Sequence, residues 1–140
     1  MTAFVSEVDK LACAQLISTY AWYVDQTRYE ELVELFTEDG ILCRPDVEVA
    51  GRAAILELMK RRSPQVICRH MCSTQVISLT SSDVAEAITY FAYYQSESSD
   101  EAVPGLDGPV AIGEYHDRLH RIERDWRFAE RRVVLAMMKK

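Results

Sequence analysis

Apolar positions recur with a helical period in the first half of the chain and with a period of two in the second. Val8, Leu11, Ala12, Leu16 and Thr19 follow the spacing of one helix face, with Ser6 placed as a cap and Asp9 in the first turn. This predicts a helix running to about Asp25. Residues 27–36 read as a second helix, with Tyr29, Leu32, Val33 and Phe36 on one stripe, closed by the turn signal Glu38-Asp39-Gly40. Residues 41–44 and 47–50 read as short strands separated by Pro45. A third helix opens at Gly51 and presents Ala54, Ile55, Leu58 and Met59. Lys60-Arg61-Arg62 suits the negative end of its dipole, and Ser63-Pro64 stops it.

From residue 66 the pattern changes. Residues 66–79, 84–95, 110–122 and 126–135 read as four long strands joined by Ser81-Ser82-Asp83, a polar connection over 96–109, and Glu123-Arg124-Asp125. A connection as long as 96–109 often serves as a lid or binding segment. The layout is α+β: three N-terminal helices over a curved antiparallel sheet, a cone-shaped α+β barrel, in one domain over residues 1–140. Helices across a bent sheet enclose an apolar interior, where a small ligand would bind.

Strand parity then sorts the side chains. His70 shares a face with Cys68, Cys72 and Thr74, opposite Ile67, Arg69, Met71 and Ser73. On the third long strand Ala111, Gly113, Tyr115, Asp117 and Leu119 form one face, and Glu114, His116, Arg118 and His120 form a charged outer one. On the fourth, Ala129, Arg131, Val133 and Leu135 oppose Phe128, Glu130, Arg132 and Val134, and one of the two adjacent arginines is expected to point inward.

Composition narrows the function classes. Hydrophobic residues make up 49% and charged residues 27%, as in a folded globular chain. The net charge of −6 disfavours nucleic acid, whose affinity comes mainly from neutralising phosphates. The most apolar stretch, residues 11–24, is too short and polar to span a bilayer, and residues 1–10 lack a leader layout, so no membrane partner and a cytoplasmic location are expected. Cys68, His70 and Cys72 resemble a metal comb, but positions four apart on a strand lie about 13 Å apart. Two zinc thiolates must each reach about 2.3 Å from one ion. No metal and no disulfide are expected; the cysteines read as small pocket residues.

Several stretches together resemble a known family. They are Tyr20-Ala-Trp-Tyr-Val-Asp25, Tyr29 to Phe36 with Asp39-Gly40, Gly51-Arg52-Ala-Ala-Ile55, Arg69-His70, Gly113-Glu-Tyr115-His-Asp117, and Trp126-Arg-Phe128-Ala-Glu-Arg131-Arg132-Val133. They resemble the SnoaL-like branch of the nuclear-transport-factor-2-like superfamily, which includes scytalone dehydratase, bile acid dehydratase and lindane dehydrochlorinase. The resemblance implies that Asp25 orients His70 as a base, as a carboxylate on one imidazole nitrogen favours the protonated ring. It implies that Arg131 assists an anionic leaving group, as in the dehydrochlorinase; a buried pair with Asp117 is the alternative role. Tyr20 matches a tyrosine of the bile acid enzyme. Val24 stands where scytalone dehydratase has a tyrosine, and residues 88–94 offer no acid where the bile acid enzyme has one. Tyr20, Tyr90, Tyr115 and Arg131 remain open as electrophiles, and Tyr20, Trp22, Cys68, Tyr90 and Tyr115 are the expected substrate-binding walls.

Three functions are carried forward. The first is a cofactor-free lyase or isomerase acting on a small apolar or polycyclic substrate through Asp25 and His70. The second is a non-catalytic protein like the small β subunit of ring-hydroxylating dioxygenases, which Arg69-His70 and Arg131-Arg132-Val133-Val134-Leu135 also resemble. The third is a small-ligand binder without chemistry. A homodimer is expected under all three, since the charged outer face is complementary to itself in sign.

Overall fold

A computed structural model describes residues 3–140, with side chains from Ser6 onward; Met1 and Thr2, part of the stretch read for a leader, lie outside the described residues. The elements are α1 (Ala3–Asp25), α2 (Tyr29–Val33), β1 (Phe36–Arg44), β2 (Val47–Ala50), α3 (Arg52–Lys60), β3 (Val66–Leu79), β4 (Val84–Glu97), β5 (Ala111–Ile122) and β6 (Asp125–Met138). The three helices pack over one open, cone-like sheet in the order β2-β1-β6-β5-β4-β3. Among the described residues no helix is long and apolar enough to cross a membrane.

The sheet is mixed rather than wholly antiparallel. β3 to β6 form an antiparallel meander and β1–β2 a hairpin, but β1 pairs parallel to β6. Adjacent hairpin strands must run antiparallel; β1 and β6 are separated by most of the chain, so no short turn dictates their direction.

The second helix is also shorter than its pattern predicts. It ends at Val33, and Phe36 begins a strand instead of closing a helical stripe. Phe36 is fully buried and pairs with Phe128. Glu38-Asp39-Gly40 is not a turn. A Cβ on Gly40 would meet Phe36 Cβ at 2.9 Å and the Phe128 carbonyl oxygen at 3.0 Å, so the glycine permits a close approach of β1 to β6.

At the chain start Ser6 lies inside α1 instead of capping it. Asp9 is buried, and its Oδ1 accepts from Trp126 Nε1 at 3.1 Å and Arg121 Nη1 at 3.3 Å, tying α1 to the β5–β6 hairpin.

Two bulges revise the expected parity. An extra residue in β3 between Cys72 and Gln75 turns Ile77 and Leu79 toward the core and leaves Thr74 exposed, so Thr74 does not share the His70 face. In β6 the register shifts where Leu119 pairs with Phe128 and Arg118 with Glu130. Phe128 and Arg131 therefore both point inward although simple alternation separates them, and Arg132 is the exposed arginine.

Candidate active site

The last residue of α1 lies against the start of β3. Asp25 Oδ2 accepts the His70 backbone N–H at 2.9 Å, and Oδ1 lies 2.7 Å from His70 Nδ1. The Cys68 thiol donates to the same Oδ1 at 3.3 Å. Burial, then the Asp25 charge, raises the Cys68 pKa and keeps this thiol a donor. An ionised carboxylate only accepts, so Nδ1 must carry the proton. In the neutral ring Nε2 then keeps its lone pair, and Nε2 has no hydrogen-bond partner among the described residues. The Tyr93 ring packs on the imidazole with centroids 4.7 Å apart.

His70 opens into a cavity of about 310 Å³. Tyr20, Val24 and Met59 wall it from the helices, and Phe91, Tyr93, Tyr115, Val133 and Leu135 from the sheet. Arg44, Asp46 and Arg62 supply its charged lining. An imidazole with one unpartnered nitrogen at the wall of such a cavity can take a proton from a bound carbon acid.

A family model described as a SnoaL-like domain matches residues 8–132. The chain belongs to the SnoaL-like family. A candidate scytalone dehydratase from Novosphingobium aromaticivorans is similar at 21% identity and TM-score 0.85, covering 99% of this chain and 91% of that one. A hexachlorocyclohexane dehydrochlorinase, LinA type 2, is similar at 13% identity and TM-score 0.82, with coverage of 99% and 92%. A protein of unknown function from Mycobacterium tuberculosis is similar at 23% identity and TM-score 0.82, with coverage of 95% and 75%. No curated protein matches the chain in sequence. At these identities the likeness carries the fold.

Within this SnoaL-like fold, the expected walls divide. Tyr20 and Tyr115 line the cavity. Cys68 braces Asp25 and borders a separate open groove of about 550 Å³ with Ile67, Met71, Val103 and Leu106. Trp22 does not reach the cavity: it is 52% exposed, beside Tyr23 and under the Arg28 guanidinium. Two residues on from Tyr20, it points to the far side of α1. Tyr90 is likewise excluded, being 46% exposed, because Ala87, Thr89 and Phe91 take the inward parity of β4.

Tyr93, Arg62 and Arg44 are among the cavity residues that the sequence pattern did not single out. Tyr93 has the inward parity of Phe91 and pairs directly with His70, so alternation applied to β4 would have found it. Arg62 carried only the signal of a helix-end cation, yet its Nη2 donates to Cys68 Sγ at 3.3 Å and Tyr93 Oη at 3.4 Å. Arg44, at the end of β1, carried no signal beyond its place before Pro45.

Arg131 lies behind the cavity wall. It is fully buried and pairs bidentately with fully buried Asp117, Nε to Oδ1 and Nη2 to Oδ2, each at 2.8 Å. Its guanidinium carbon lies 3.8 Å from the Tyr115 ring centroid and 4.3 Å from those of Tyr20 and Phe128. It therefore holds both wall tyrosines in place. Burial raises the pKa of each tyrosine against the opposing pull of Arg131, so both stay protonated at neutral pH.

One carboxylate oxygen, the Cys68 thiol and an imidazole nitrogen gather within 4.8 Å, a set that could in principle hold a metal. The donors are committed to one another instead: the 2.7 Å between Nδ1 and Oδ1 is a hydrogen bond. Two ligands around a tetrahedral zinc stand about 3.3 Å apart or more. Elsewhere, burial first and Asp9 second push the Cys13 thiol up to about 12, which makes it inert.

Proposed function

We propose that this SnoaL-like chain is a cofactor-free lyase or isomerase in which His70 is the base and Asp25 its positioning partner. The observation that carries the reading is the unpartnered Nε2 on an imidazole whose other nitrogen is bound to a buried carboxylate, at the wall of a cavity with both apolar and charged lining. A substrate C–H next to a carbonyl gives its proton to Nε2, and the electron pair moves toward the carbonyl oxygen. The imidazolium that forms faces the Asp25 carboxylate. In elimination the pair returns to expel hydroxide from the β-carbon, and the Nε2 proton leaves with it as water; in isomerisation the same proton returns to another carbon. Tyr20 and Arg62 are the cavity donors that would meet the developing oxyanion, the Tyr93 hydroxyl being spent on Gln95 Oε1 at 2.9 Å.

The test is dehydration of a β-hydroxy tetralone, which yields a naphthol detectable by fluorescence. The natural chain is expected to accelerate naphthol release, and His70→Ala to lose that acceleration with an unchanged circular dichroism spectrum. Absence of acceleration, or full activity in His70→Ala, overturns the reading.

A further inference from the structure

Two arginines in the cavity are treated differently from the buried arginine behind it. Arg131 has a bidentate carboxylate. Arg44 and Arg62 line the cavity, and among the described residues neither forms a salt bridge. Arg44 donates no side-chain hydrogen bond there, and its Nε is buried without a partner. Arg62 commits only Nη2, to a thiol and a phenol, leaving Nε and Nη1 uncommitted. Asp46, the other charged residue of this wall, is exposed and beyond ion-pair distance of both. The Asp25 carboxylate is occupied by its three donors.

A guanidinium withdrawn from water without a counter-charge is unfavourable, and its planar fork matches a carboxylate. Both arginines are also near enough to the Tyr20 hydroxyl to pull its pKa down, against a larger rise from burial. The cavity therefore has an apolar half, with Phe91, Val133 and Leu135, and a cationic corner around Tyr20.

We propose that Arg44 and Arg62 form a carboxylate-binding subsite, so that the ligand is an apolar, ring-sized body bearing a carboxylate rather than a wholly apolar molecule. This deepens the assignment of the cavity as the substrate site and rests on that assignment, but it concerns binding and does not require His70 to act as a base.

Isothermal titration calorimetry of the full chain with naphthoate and with its neutral counterpart naphthamide tests it. Naphthoate is expected to bind about ten- to hundred-fold more tightly, the range for hydrogen bonds to a charged group. His70→Ala should keep this preference even if turnover is lost or was never present, which separates this proposal from the catalytic one. The double variant Arg44→Met with Arg62→Met should lose the preference, while Arg44→Lys with Arg62→Lys should retain part of it. Equal affinities for the two probes, undetectable naphthoate binding, or a preference that survives in a folded methionine variant overturns the subsite. Should the methionine variant not fold, the probe pair on the natural chain and the lysine variant decide.

Discussion

Two carboxylate–nitrogen pairs lie on the inner side of the same sheet, and they are put to different use. Asp117 and Arg131, side by side on β5 and β6, spend both carboxylate oxygens on each other's fork and are roofed by three aromatic rings. Asp25 and His70, from α1 and β3, are nearly as buried, but the pair closes only one edge of the imidazole. The first pair is directed at the fold and the second at the cavity. Burial and a short hydrogen bond are common to both. What separates the Asp25–His70 pair from the Asp117–Arg131 pair is an imidazole edge left over and room for a guest beside it.

The comparison can be broken most forcefully at His70. His70→Ala is expected to lower turnover by about 10²–10⁴-fold, the range of general-base help, with the chain still folded. Asp25→Asn should lose a large part of the same factor through kcat rather than KM, since the amide can donate to Nδ1 and reverse the tautomer. Steady-state kinetics on naphthol release read both.

At the structural pair the effect moves from rate to stability. Asp117→Ala leaves Arg131 buried and unpaired, and urea unfolding should show a loss of about 3–5 kcal/mol. Replacing both, Asp117→Leu with Arg131→Met, should recover much of that loss, since no charge is then stranded. A small effect of Asp117→Ala alone would erase the contrast between the pairs.

Between the two lies the Phe91–Tyr115 stack, with centroids 4.5 Å apart. A Cβ on Gly113 would come within 2.6 Å of the Phe91 ring and 2.7 Å of the Val134 carbonyl oxygen. Gly113→Ala should therefore cost about 1–3 kcal/mol by urea unfolding, as overpacking does. It should also weaken naphthoate binding by moving the wall. Trp22→Ala, which touches neither pair, should change stability by no more than about 0.5 kcal/mol and leave turnover intact. A loss of turnover there would mean the cavity extends to the outer side of α1.

The elements with strong periodicity were legible before any coordinates: the long first helix, the four long strands, and the inward face of β5 from Ala111 to Leu119. Asp25 and His70 were reached through resemblance, and their bonding geometry is set by where α1 ends against β3. The reading failed where one residue breaks a period. The bulges after Cys72 and beside Ala129 are invisible to alternation, because an extra residue changes no local composition. Trp22 and Tyr90 were misplaced since an aromatic residue near a site reads as a wall whichever way it points.

The amino-acid order alone determined the helices-then-strands layout, since amphipathic period is a local property that each segment carries with it. It also placed an acid at the end of one helix and a histidine on one strand. Only the tertiary structure decided that β1 runs parallel to β6, that Arg131 belongs to Asp117, and that Arg44 and Arg62 face one cavity with no ion pair to either among the described residues. Those outcomes depend on partners from distant segments, and a charge's role is settled by what the fold brings within bonding distance of it.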